Sequence, residues 1–254
     1  MAAVLLPFLA ACDQTPTGRN QLALVPEPIM RDLGQDAFEQ MKQGQTVVTD
    51  ATVRTRVECI AGRIVEAAGR QYPQSDAPGV WEIVVFENDT PNAFALPGGR
   101  IGIHTGVLEV AETSGQLAAI IGHEVGHLLA NHGNERLTQQ LGIKAGMVLI
   151  GMFGEIESQQ LLQALGIGAQ LGIVLPFSRA HEREADQMGL QLMAAAGFPP
   201  AESVELWRNM ARQAGDQPME FLSTHPGHES RINMLKSQLD TVDSLYRQAQ
   251  PADC

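Results

Sequence analysis

Residues 123–127 read His-Glu-Val-Gly-His within an apolar stretch of helical character. At about 100° per residue, His123 and His127 lie one turn apart and within about 40° of each other around the helix. Two neutral imidazoles so placed can bind one Zn²⁺, and Glu124 beside them is free to accept a proton from water. The bland alternative is a pair of surface histidines that happen to share a helix face. A catalytic zinc needs three protein donors and an open fourth position. The metzincin solution requires Gly and His at two fixed positions after His127, where this chain has Ala130 and Gly133, so that class is excluded.

A better source of the third donor lies downstream, in Ser178-Arg179-Ala180-His181-Glu182-Arg183-Glu184-Ala185-Asp186. Glu182 and Asp186 share a helix face by i,i+4 spacing. One of these carboxylates can reach a metal while the other accepts the outer N–H of a zinc histidine. An exposed charged helix face is the competing reading of the same residues.

The two segments together resemble the gluzincin family of HtpX-like and CAAX-prenyl-protease-like metallopeptidases. The likeness extends to Asn92-Ala93-Phe94-Ala95-Leu96-Pro97-Gly98-Gly99, to Ser178-Arg179, to Ser223-Thr224-His225-Pro226 and to the Thr17-Gly18-Arg19 start. The resemblance implies one Zn²⁺ per chain, held by His123, His127 and Glu182, with Glu124 as catalytic base and Asp186 orienting a ligand. Glu184 competes for the ligand role but breaks the family register. His225 and Arg231 are candidate donors to the developing oxyanion. In some relatives the histidine equivalent to His225 resembles an inhibitory fourth ligand, and a plain loop histidine is the third reading. Without multiple membrane spans or a tetratricopeptide tail, the chain resembles the short periplasmic lipoprotein branch.

Positioning these groups falls to a series of helices and a small β region. Helical patterns run over Pro28–Gln43, Ala51–Ala68, Arg179–Ala195, Ala201–Gln213 and His228–Gln248. Thr113 and Gln116 have capping-box spacing at the start of the motif helix, and Gly133 is placed to end it in the left-handed conformation. Trp81–Phe86 is β-rich, and Asn92–Leu96 and Ile101–Thr105 flank a Pro97-Gly98-Gly99 turn. A strand near Asn92–Leu96 or Arg100–His104 could bind an extended peptide through backbone hydrogen bonds. The expected fold class is α+β: a mostly helical, minigluzincin-like zincin with a small hairpin-bearing sheet beside the active-site helix. Among the remaining histidines, His104 alternates within a strand, His132 serves a helix end, and His181 and His228 are expected in solvent.

The chain has 254 residues and a net charge of −12, an acidic balance that argues against nucleic-acid binding. Met1–Ala11 is apolar and runs into Leu9-Ala10-Ala11-Cys12, which resembles a lipobox. The expected organisation is a signal peptide over residues 1–11, a lipidated Cys12 with a tether to residue 27, and one metallopeptidase domain over 28–254. No Lys or Arg precedes the apolar run, so the segment reads as a shortened leader. Asp13 resembles an inner-membrane retention signal. Cys59 lies off the Val53, Val57, Ile60, Ile64 seam of its helix, and in an oxidising periplasm a Cys59–Cys254 bridge is expected. The Gly- and Met-rich stretch 142–177 offers a surface for a partner protein or a second copy. The expectation is a lipid-anchored zinc endopeptidase of the bacterial periplasm that cleaves misfolded or unassembled envelope proteins. The rival is an envelope chaperone or assembly factor with a latent zinc site.

Overall fold

The computed structural model describes residues 13–75, 78–151, 177–213, 221, 224, 225 and 228–254. Residues 1–11, Cys12 and most of 142–177 lie outside them, and with them the leader, lipidation and partner-surface expectations.

Asp13–Gln14 (β1) and Asn20–Gln21 (β2) form an antiparallel hairpin. The stretch expected as a tether is therefore folded, with Leu24 N bonded to Thr138 Oγ1 at 2.9 Å and Val25 N to Asn134 Oδ1 at 3.1 Å. Helix α1 (Glu27–Gly44) starts behind a proline-rich turn, and α2 (Ala51–Gln71) is capped by Asp50, whose carboxylate accepts from Thr52 N and Val53 N. Three strands follow: β3 (Glu82–Phe86), β4 (Ala93–Leu96) and β5 (Arg100–His104). Their order is β3-β5-β4, with β3 parallel and β4 antiparallel to β5, so β4 is an edge strand. Gly98 and Gly99 make the connecting turn at φ of +82° and +80°, a region that favours glycine.

The rest is helical: α3 (Thr105–Val110), α4 (Ser114–Leu129), α5 (His132–Gly151), α6 (Arg179–Ala195), α7 (Ala201–Gln213) and α8 (His228–Gln248). This is the expected mostly helical α+β fold. Phe38 of α1 packs edge-on against Phe86 and Phe94 of the sheet. The main core joins Val57, Ile60 and Ile64 of α2 to Ile101 and Ile103 of β5 and to Leu117, Ile121 and Val125 of α4. Thr113 Oγ1 accepts from Gln116 N at 3.1 Å, while the Gln116 amide oxygen turns to Glu112 N, so half of the expected capping box forms.

Two details differ from the sequence reading. Helix α4 ends at Leu129, and the left-handed residue is Asn131 at φ +55°, with Gly133 already inside α5. Asparagine tolerates this conformation because its short polar side chain finds local hydrogen bonds. The sequence also gave no hint of how closely α4 meets α6. A Cβ on Gly189 would lie 2.8 Å from His123 N, and one on Gly126 would lie 2.9 Å from Ala185 O. The bare backbones at Gly122, Gly126 and Gly189 let the two helices cross at near contact.

Cys59 and Cys254 are joined by a disulfide, with Cα atoms 5.8 Å apart. Arg63 of α2 reinforces the join by donating to Ala196 O at 2.9 Å and Gln250 O at 2.7 Å.

Candidate metal centre

The close crossing of α4 and α6 sets the site. Helix periodicity puts His123 and His127 on one face of α4, and the missing side chains at the crossing bring the first turns of α6 within reach of both rings. Glu182 Oε1 lies 3.3 Å from His127 Nε2, and Glu182 Oε2 lies 3.5 Å from His123 Nε2. His225 completes the cluster, its Nδ1 being 3.0 Å from Glu182 Oε1 and 3.1 Å from His123 Nε2. One donor atom from each of His123, His127, Glu182 and His225 falls within 4.8 Å of the others, and all four residues are buried.

Three imidazoles and one carboxylate are a donor set suited to zinc. Burial pulls the His123 pKa down, yet its bonds to Asp186 and Glu182 outweigh that and raise it to about 9. Burial and the neighbouring charge of His123 hold His127 well below its ordinary value. Burial favours a protonated Glu182, but His225, Arg231 and the two α4 histidines hold it far below the usual carboxylate range. Glu182 therefore stays ionised beside three imidazoles, and a divalent cation is a charge those four donors can share once the rings are neutral.

Glu124 is 3% exposed, and its Oε1 lies 3.4 Å from His225 Nε2. That oxygen takes part in no hydrogen bond among the described residues. Burial raises the Glu124 pKa, which moves the carboxylate toward the range where a general base works near neutrality.

Asp186 holds the outer face of His123, with Oδ1 3.0 Å from Nδ1. Its two oxygens also accept from Arg231 Nε at 2.6 Å and Nη2 at 2.5 Å. Arg231 Nη1 lies 2.5 Å from Glu182 Oε2, and the guanidinium sits 3.8 Å above the Trp207 ring. This differs from its expected place as an oxyanion donor: the charge is committed to holding two acids. Glu184, the competing ligand, points away from the donor cluster to Thr15, Thr17 and Arg19.

His181, expected in solvent, is 3% exposed and bonded through Nε2 to Glu135 Oε2 at 3.1 Å. Burial and the nearby His132 lower its pKa to about 4. The alternation of charge on α6 hid this, because the groups that cover the ring, Glu135 and the stacked His132, come from α5. His104 is buried on β5 with Nδ1 3.1 Å from Thr90 O. The side chain of His228 lies outside the described residues. Of the two strands considered for peptide binding, Arg100–His104 is central and only Ala93–Leu96 lies at the edge. Beside that edge a cavity of about 490 Å³ reaches from Ala95, Leu96 and Pro97 to His127, with Met30, Arg136 and Phe177 in its walls.

Fold and site define a class: a zincin in which a histidine pair on α4 and an acid on α6 are placed where they could hold one metal. It is a zinc metalloendopeptidase, and zinc is its cofactor. The chain belongs to Peptidase family M48, whose pattern matches residues 51–239. Among its relatives, "Mitochondrial metalloendopeptidase OMA1" of Saccharomyces cerevisiae is 31% identical over 95% of this chain and 72% of its own length. The protein of the same name from Schizosaccharomyces pombe is 35% identical over 82% of this chain and 60% of its own length. The "Beta-barrel assembly-enhancing protease" of Yersinia pestis is 24% identical over 95% of this chain and 54% of its own length. The chain thus spans little more than half the length of the last two. Among the described residues no helix is long and apolar enough to cross a membrane.

Proposed function

We propose that the chain is a lipid-anchored endopeptidase of the bacterial envelope, of the short lipoprotein branch, that cuts misfolded or unassembled envelope proteins. The observation that carries the catalytic part is the convergence of His123, His127 and Glu182 beside Glu124, a buried base with an oxygen left over. In this reading His123, His127 and Glu182 hold the ion and Asp186 fixes the ring of His123. Zinc, when bound, supplies Lewis acidity that polarises a carbonyl and lowers the pKa of water toward about 7. Glu124 accepts the proton of the attacking water and returns it to the leaving nitrogen. Edge strand β4 aligns an extended segment of substrate by backbone hydrogen bonds, which selects for unfolded chain over sequence. The quality-control role and the envelope location rest on the likeness to the bacterial relative and on the lipobox-like Leu9-Ala10-Ala11-Cys12.

In this reading His225, which belongs to the same donor group, is a fourth ligand that closes the site. That placement also favours a second reading, a chaperone or assembly factor whose zinc site stays latent. Zinc analysis and cleavage of a denatured protein such as casein separate the two. Wild type is expected to carry about one zinc and to cut, and Glu124→Gln to carry the zinc and lose activity by about 10²- to 10⁴-fold. Equal cleavage by both proteins, or none by either under any condition, overturns the endopeptidase reading.

A further inference from the structure

The two α4 histidines are held from behind in different ways. His123 meets a carboxylate directly, in Asp186. His127 meets a second imidazole: its Nδ1 lies 2.9 Å from Nδ1 of His132, the first residue of α5. His132 Nε2 in turn lies 3.0 Å from Glu184 Oε2. His132 is 0% exposed and Glu184 6%, so solvent offers neither an alternative partner.

One arrangement of protons satisfies the whole line. With Nε2 of His127 turned to the donor cluster as an acceptor, its Nδ1–H donates to His132 Nδ1, and His132 Nε2–H donates to Glu184. The far end of the line is the N-terminal hairpin. The hydroxyls of Thr15 and Thr17 both donate to Glu184 Oε1, and Arg19 Nε donates to Oε2 at 2.6 Å. The other end of the Arg19 guanidinium grips Glu135 at 3.1 and 2.7 Å. Gly18 at φ +86° makes the turn that brings all three side chains to one carboxylate, closed by Gly18 N to Thr15 O at 2.8 Å.

We propose that the hairpin around Thr15, Thr17 and Arg19 is a positioning element for the metal site, acting on His127 through Glu184 and His132. Its grip fixes the Glu184 carboxylate, the carboxylate fixes the tautomer and tilt of His132, and His132 fixes the outer nitrogen of His127. Release of the hairpin leaves the carboxylate without its three donors and lets the ring behind His127 turn. Zinc affinity therefore depends on a segment that contributes no ligand. The inference rests on His127 being a ligand, as proposed above.

The test measures zinc affinity of the full chain by competition with a chromogenic chelator, and the visible spectrum after Co²⁺ substitution. Both are read for wild type, His127→Ala, His132→Ala, Thr15→Val/Thr17→Val, Arg19→Ala and, as a baseline on an exposed pair, Arg54→Ala. His132→Ala is expected to weaken zinc by about 10- to 100-fold, the hairpin variants by about tenfold, with Co²⁺ bands shifted the same way in all three. Melting of the metal-free proteins is followed in parallel. Weakened zinc with unchanged metal-free melting supports the inference, and zinc loss that merely tracks lost stability overturns it. Hairpin variants that bind zinc and Co²⁺ as wild type does overturn it while leaving the ligand assignment intact. Equal zinc binding by His127→Ala and wild type, or none by either, is the distinct result that removes the ligand assignment and this inference together.

Discussion

Asp186 Oδ1 stands 3.0 Å from Nδ1 of His123 while the same carboxylate holds the buried guanidinium of Arg231 from both oxygens. One acid thus orients a ring and anchors a cation. Asp186→Asn keeps the volume and loses the charge. Zinc affinity is expected to fall by about 10- to 100-fold, read by chelator competition. The metal-free protein should lose about 3–5 kcal/mol in urea unfolding, because a buried pair is broken with one partner left charged. Unchanged values on both measurements would show that Glu182 alone satisfies Arg231.

His225 lies within hydrogen-bond distance of His123 and Glu182 and close to Glu124. On the ligand set proposed above, its removal opens the fourth position and leaves three donors in place. His225→Ala is expected to retain zinc by elemental analysis and to cleave a denatured protein faster. If the open form is about a tenth of the wild-type population, the gain is about tenfold. Slower cleavage with zinc retained would assign the ring to oxyanion stabilisation instead.

Helix α6 crosses α4 with Gly189 against the backbone of His123. Gly189→Ala adds a methyl where the nearest atom would be 2.8 Å away, and that atom belongs to backbone. The helices must part, at a cost of about 1–3 kcal/mol. Glu182 and Asp186 ride on the displaced helix, and a shift of about 1 Å at a reacting centre can cost about 100-fold. Steady-state kinetics and thermal melting on the one variant check both effects.

The Cys59–Cys254 bridge spans a sequence separation of 195 and fixes the chain end, whose Cys254 carbonyl accepts from Ser114 Oγ at 3.2 Å. Closing so long a loop restricts the unfolded chain, and removing such a bridge typically costs about 2–5 kcal/mol. Cys59→Ser/Cys254→Ser is expected to unfold at correspondingly lower urea. Reductant should lower wild type to the same midpoint and leave the double variant unmoved.

The sequence alone was enough for the local part of the site. A histidine pair at i,i+4 and an acid pair at i,i+4 are each placed by helix geometry, whatever the surroundings, so His123, His127 and Glu182 were legible as candidate donors and Asp186 as the group that orients a ring. Strand alternation and the Pro97-Gly98-Gly99 turn likewise marked the small sheet. What joins these pieces is non-local. Only the tertiary structure shows that bare glycines on α4 and α6 permit the crossing that brings the acids to the rings. It alone commits Arg231 to Asp186 and Glu182, and it places Arg19 on an acid far along the chain. Periodicity reports which face of an element is buried; it carries no information about what covers that face. His181 looked solvated because the groups that cover it, Glu135 and His132, sit on α5. Glu184 looked like a rival ligand because the hairpin that claims it lies far away in the sequence. Such contacts exist only once the chain has folded.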